Sequence, residues 1–117
     1  MALSDDFLNY VLDQFSSWGE VSVRRMFGGA GLYRDGQMFG LIADGVVYLK
    51  VDDSNRDEFV KAGSSPFQPY PGKGKPTVMS YYELPAVVLE NPPELAQWAQ
   101  RSLEVQIRKR PKVGRRG

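Results

Sequence analysis

The side chains that could do chemistry in this chain are fourteen carboxylates, fifteen lysines and arginines, and six tyrosines, because histidine and cysteine are both absent. Without those two residue types there is no Ser-His-Asp or Cys-His nucleophile and no imidazole or thiolate metal site. The usual proton shuttle near neutral pH is missing too. An enzyme would have to work with carboxylates, lysine, tyrosine or a borrowed metal. Asp35, Asp44, Asp52 and Asp53 could be imagined around a cation, but turn and helix-cap roles account for all four. No acid sits in an otherwise apolar strand where its pKa would rise, so no acid–base pair of carboxylates stands out. The Gly28-Gly29-Ala30-Gly31 run is not a phosphate loop: no lysine follows at the required spacing, and the run feeds a strand instead of a helix. Its glycines suit a bulge and a close helix–sheet approach. The expectation is a protein with no catalytic residues, no cofactor and no metal.

Basic residues are the remaining candidates. Arg108, Lys109, Arg110, Lys112, Arg115 and Arg116 put six bases and no acid into the last ten residues. Residues 1–107 then hold nine bases against fourteen acids, a net charge of about −5. A basic tail on an acidic body attracts nucleic acid or an anionic surface; it can also fold back on the body or simply aid solubility. Lys73 and Lys75 lie in SSPFQPYPGKGKPT, near Phe67 and Tyr70. That loop reads either as a basic contact for a phosphate backbone or as a solvated connector whose aromatics tuck into the core. Lys73, Lys75 and the six tail bases are the candidate nucleic-acid contacts.

The elements that must position such groups centre on Arg24 to Val51. Three short apolar runs are joined there by Asp35-Gly36 and Asp44-Gly45, the strongest local hairpin signal. A three-stranded antiparallel meander follows. Two-residue turns set Arg34 opposite Gln37, Tyr33 opposite Met38, Leu32 opposite Phe39 and Gly31 opposite Gly40. In the second hairpin Ala43 faces Val46, Ile42 faces Val47, Leu41 faces Tyr48 and Gly40 faces Leu49. This register puts Gly29, Gly31, Tyr33, Met38, Gly40, Ile42, Val47, Leu49 and Val51 on one face, a seat for a helix. The other face, with Leu32, Phe39, Leu41 and Tyr48, is also apolar, whereas an antiparallel sheet usually leaves one face wet. A second helix of the chain or a partner must cover it, and those four residues are the candidate partner face.

Helices frame the meander. Ser4 can cap a helix to Trp18 with Gly19 at C′; its stripe is Phe7, Leu8, Val11, Leu12 and Phe15. Asp53 or Ser54 can cap a short helix ending near Gly63, with Phe59 and Val60 pointing inward. Val78 to Leu84 reads as the last strand. Asn91, Pro92 and Glu94 open a final helix with the stripe Leu95, Trp98, Ala99, Leu103 and Ile107. An apolar fraction of 42% over 117 residues suffices for one core. The expected division is one domain over residues 1–107 and a basic tail over 108–117. No run approaches the ~20 apolar residues of a membrane span, and MALSDDF lacks signal-peptide order. With cysteine absent, the expected address is cytoplasmic.

The run RRMFGGAGLYRDGQMFGLIADGVVYLKVDDSN, followed by Phe67, Pro69, Tyr70 and MSYYELP, resembles the N-terminal domain of the TfoX/Sxy competence regulators over roughly residues 5–105. The resemblance implies an α+β fold like that of secretion chaperones, a link to transcriptional control of competence genes, and no catalytic residues. The family's regulators carry a second, helical C-terminal domain, and this sequence departs from that pattern, so the expected form is the single N-terminal domain. The functional expectation is a non-enzymatic regulatory or adaptor protein acting through protein contact, with a protein partner or a homodimer. The alternative is a nucleic-acid binder using the tail and the Lys73/Lys75 loop. Base readout is not indicated, because the final helix opens without an array of base-contacting side chains.

Overall fold

The computed structural model describes residues 4–26, 28–67 and 80–109, with Lys109 described for its backbone alone. Among the described residues five antiparallel strands lie in sequence order: β1 (Ser22–Met26), β2 (Gly29–Arg34), β3 (Gln37–Ala43), β4 (Val46–Lys50) and β5 (Tyr81–Glu83). Four helices accompany them: α1 (Asp5–Phe15), α2 (Arg56–Lys61), α3 (Ala86–Leu89) and α4 (Pro92–Lys109). This is an α+β arrangement.

Both Asp-Gly pairs adopt the turn their composition demands. Asp35 and Asp44 have φ of 53°, and Gly36 and Gly45 have φ of 77° and 74°, so both central positions are left-handed. The strands that follow keep the expected register between β3 and β4, from Ala43–Val46 to Gly40–Leu49. Between β2 and β3 the register holds at Arg34–Gln37 and Tyr33–Met38 and then slips. Leu32 pairs with Gly40 and Gly31 with Leu41, leaving Phe39 as the extra residue of a β-bulge.

The bulge corrects the face assignment. Phe39 and Gly40 both turn toward the helices, and a one-residue shift exchanges the faces of everything beyond it. Phe39 is fully buried, edge-on to Phe15 at 5.5 Å and to Trp18 at 5.0 Å. At Gly40 an added Cβ would stand 2.7 Å from the carbonyl oxygen of Tyr48 and 3.0 Å from Leu49 Cδ2, so the bulge has room for one side chain only. The helix-side face therefore consists of Ala30, Leu32, Phe39, Ile42, Val47, Leu49 and Val51, all buried. Leu32 and Phe39, read from the sequence as partner-face residues, are core. Gly29, Gly31, Tyr33 and Met38, read as part of the helix seat, lie on the opposite side.

The helices close over this core. Ser4 caps α1, its hydroxyl accepting from Phe7 N–H at 3.1 Å. Leu8, Val11 and Phe15 are buried beneath it. Gly19 does not supply the left-handed C′ residue; it leaves room for Arg34, whose Cζ an added Cβ would meet at 2.8 Å. Asn91 caps α4 as expected, with its side-chain oxygen accepting from Glu94 N–H at 3.2 Å. On α4, Leu95, Trp98, Ala99 and Leu103 are buried together with Ser102 and Val105, whereas Ile107 is 47% exposed. The expected stripe thus drifts off the sheet at its last member. Asn55, not Asp53 or Ser54, precedes α2, and Val60 is 55% exposed while Phe59 points in.

Lys50 C=O joins three elements, accepting from Ser102 Oγ of α4 at 2.8 Å and from Asn55 Nδ2 at 3.1 Å. Both donors are buried, so each is satisfied where an unmade bond would be costly. Arg101 grips Glu58 of α2 through two contacts of 3.0 and 2.8 Å.

Phe39→Ala should lower unfolding free energy by about 3–5 kcal/mol, because a fully buried ring leaves a cavity against Phe15 and Trp18. Leu41→Ala, one strand position past the bulge on the other face, should cost less than half of that. Urea denaturation of both variants measures the difference; equal costs would contradict the register.

Candidate interaction site on the helix-free sheet face

Every second residue of the sheet turns away from α1 and α4. On that side stand Arg24 and Met26 of β1, Tyr33 of β2, Met38 and Leu41 of β3, Tyr48 and Lys50 of β4, and Tyr81 of β5, as the strand pairings require. Gly31 lies beneath them: an added Cβ would meet Tyr33 Cε1 at 2.9 Å, Met26 Cε at 3.1 Å and Met38 Cε at 3.4 Å. The glycine lets these three side chains fold down over the sheet. Met38, Leu41, Tyr48 and Tyr81 are all half-buried, and no described helix lies over them.

Aromatic rings give the face its texture. Tyr48 packs on Phe67 with ring centroids 4.8 Å apart. Arg24 lies over Tyr33 at 5.6 Å and Lys50 over Tyr81 at 4.9 Å, two cation–π contacts at opposite sides of the face. Burial raises the phenol of Tyr81, and the neighbouring Tyr33 adds to the effect. Tyr48 is raised first by burial, then by Glu83 and Asp44. Both remain neutral donors through the physiological range. The face is therefore apolar at its centre with hydroxyls and cations at its margins, a pattern that suits contact with a protein more than chemistry on a small molecule.

Of the four expected partner-face residues, the structure brings Leu41 and Tyr48 together here and sends Leu32 and Phe39 into the core. Tyr33, Met38, Phe67 and Tyr81 belong to the face and were not among those four. The signal that could have found them is the Phe39-Gly40 pair, a large residue beside a glycine where strict alternation would place one inward and one outward.

Of the candidate nucleic-acid contacts, Arg108 is the one whose side chain lies among the described residues. Arg108 lies in the last turn of α4, with Nη2 2.8 Å from Ser54 Oγ and 3.5 Å from Asp52 Oδ2. Lys109 ends the same helix. Lys73, Lys75, Arg110, Lys112, Arg115 and Arg116 lie outside the described residues. No described helix is long and apolar enough to cross a membrane.

The family model of the TfoX N-terminal domain matches residues 13–106, from the last turn of α1 almost to the end of α4. The chain belongs to the TfoX N-terminal domain family. It is also similar to DNA transformation protein TfoX1 of Aliivibrio fischeri, at 26% identity over 102 residues. That similarity covers 87% of this chain and 46% of the relative, so the chain spans about half of the relative's length.

In this TfoX N-terminal domain the turn between β4 and α2 is held by Asp52. Its Oδ1 accepts from Ser54 Oγ at 2.6 Å and from Ser54 N–H at 2.7 Å. Hydrogen bonding from the Ser54 hydroxyl chiefly holds the carboxyl below the usual range, against the opposing effect of burial; the Ser54 amide and Arg108 add to the lowering. A carboxylate with a folded pKa below its unfolded value stabilises fully above about pH 4, and the contribution is lost as pH falls through the folded value. Asp52→Ala should therefore cost on the order of 1 kcal/mol at neutral pH, with the gap to the parent closing toward pH 3. Urea titrations at the two pH values test this; a gap that stays constant would assign the loss to something other than the charged carboxylate.

Proposed function

We propose that this domain is a non-enzymatic adaptor in the regulation of DNA transformation, acting by protein contact through the helix-free sheet face. The observation that carries the reading is the half-buried cluster of Met38, Leu41, Tyr48 and Tyr81, on the sheet side that neither α1 nor α4 covers. Tyrosine and methionine flanked by cation–π pairs give contact area without a charged centre. Membership of the TfoX N-terminal domain family and the name of the Aliivibrio relative supply the biological setting. The partner is a protein presenting an apolar patch, and the domain's role is to bring that protein to a regulatory complex.

A second reading, attraction of nucleic acid through the C-terminal bases, rests on six bases in the last ten residues beside an acidic body. A slope of log K against log salt on the order of −4 to −5 on duplex DNA would mark it.

The deciding experiment places Leu41→Asp and Tyr48→Asp alleles in the native host beside a deletion. Both variants should keep a cooperative thermal transition, accumulate normally, and reproduce the change in transformation frequency that the deletion causes. The same variants should fail to bind a co-purifying protein that the purified parent chain binds on reconstitution. Variants that fold and act like the parent would overturn the assignment of this face.

A further inference from the structure

The two edges of the sheet are finished differently. Beyond β5, residues 65–67 run alongside: Phe67 N–H donates to Tyr81 C=O at 2.8 Å, Glu83 N–H donates to Ser65 C=O at 2.9 Å, and Pro66 bridges to Tyr82. That edge is sealed by the chain itself, and Pro66 has no N–H to offer a further strand. Beyond β1 no strand follows among the described residues. An edge strand turns the N–H and C=O of every second residue outward, which is a template for pairing.

β1 lacks most of the devices that blunt such an edge. It has no proline, and its pairing with β2 runs without a bulge from Ser22–Tyr33 to Met26–Gly29. Its five residues offer about 17 Å of edge. Charge is the device it has: adjacent Arg24 and Arg25, both exposed and on opposite faces. Arg25 is paired with Asp5 at the start of α1, so a carboxylate already sits against this strand on the helix side. Arg24 stands on the other side, over Tyr33. Beside it an open concavity of about 360 Å³ is lined by Ser22, Val23, Arg24, Tyr33 and Gly36.

We propose that β1 receives an added strand from an acidic segment of the partner protein. The inference rests on the protein-contact reading above and names how that partner docks. The incoming backbone continues the sheet. A carboxylate directly opposite Arg24 pairs with it across the strands, as Asp5 of α1 pairs with Arg25 on the helix side, and the concavity leaves room for that acidic side chain. Arg24 and Met26 belong to the helix-free face, so the added strand is continuous with Leu41 and Tyr48 as one contact surface. A second copy of this chain is the poorer occupant: antiparallel self-pairing over all of Ser22–Met26 sets Arg24 against Arg24, and like charges directly opposite repel.

The test uses the full chain, isotope-labelled, and two synthetic extended peptides: acetyl-Gly-Glu-Val-Glu-Val-Glu-Gly-amide and its lysine counterpart. The acidic peptide should shift the amide resonances of Ser22–Met26, slow their hydrogen exchange, and bind about tenfold tighter than the basic one. Arg24→Glu, on an exposed side chain, should leave the spectrum folded and reverse the preference. Failure of both peptides to shift β1 would overturn the proposal, as would β1 amides that all exchange as slowly in the free chain as those of β3. A dimer seen by light scattering and dispersed by Arg24→Glu would also overturn it, by making a second copy the occupant. If peptide docking fails while Leu41→Asp still abolishes partner binding, the edge is refuted and the face reading stands. If docking succeeds but Leu41→Asp changes nothing in the host, the edge stands and the face reading falls.

Discussion

One extra residue governs the architecture. With Phe39 bulged into β3, its ring enters the space between Phe15 and Trp18, and Gly40 lets the backbone continue without a second side chain there. Because side chains alternate with a period of two, this insertion decides which residues of β2 are roofed by helices and which face outward. Leu32 is fully buried as a consequence, and Tyr33 is free to lie over Gly31 on the far side. Core and helix-free face are products of one local irregularity.

The second constraint is the end of β4. Lys50 C=O binds Asn55 and Ser102 together, Asp52 fixes the turn that follows, and Arg108 reaches back to Ser54 and Asp52. α4 is thereby held to the sheet by polar bonds at one end and by Leu95, Trp98 and Ala99 at the other. This explains why Ile107 need not pack: hydrogen bonds replace apolar contact in the last turns. It also places Arg108, expected from its sequence neighbourhood to belong to a basic tail, within the domain's own polar clasp.

Much of the fold was legible in the sequence because its signals are local. Asp-Gly dictated the two hairpins, and Ser4 and Asn91 marked helix starts because their side-chain oxygens accept from backbone N–H groups three residues on. The β3–β4 register followed from turn geometry alone. What failed was long-range. Beyond the Phe39-Gly40 pair, nothing within the hairpin says that Phe39 must satisfy Phe15 and Trp18, so strict alternation continued through it and four residues were assigned to one face that belong to two. Val60 failed for a similar reason: apolar character alone does not say which side of a short helix meets the core. The short helix α3 carried no cap signal and went unforeseen.

Sequential strand order has a kinetic side. Strands β1 to β4 each pair with the next along the chain, β2–β3 and β3–β4 across two-residue turns, so the first four strands form from contacts close in the chain, at small loop-closure cost. α1 is different: Trp18 bonds Gln100 across 82 residues, and Gln14 bonds Leu89 C=O across 75. Although made first, the N-terminal helix cannot complete its packing until α4 exists. During synthesis the meander can condense while Leu8, Val11 and Phe15 still lack part of their cover. Completion of the domain is thus timed by its C-terminal helix, and a chain halted before α4 would present an assembled hairpin sheet with an apolar roof only half laid.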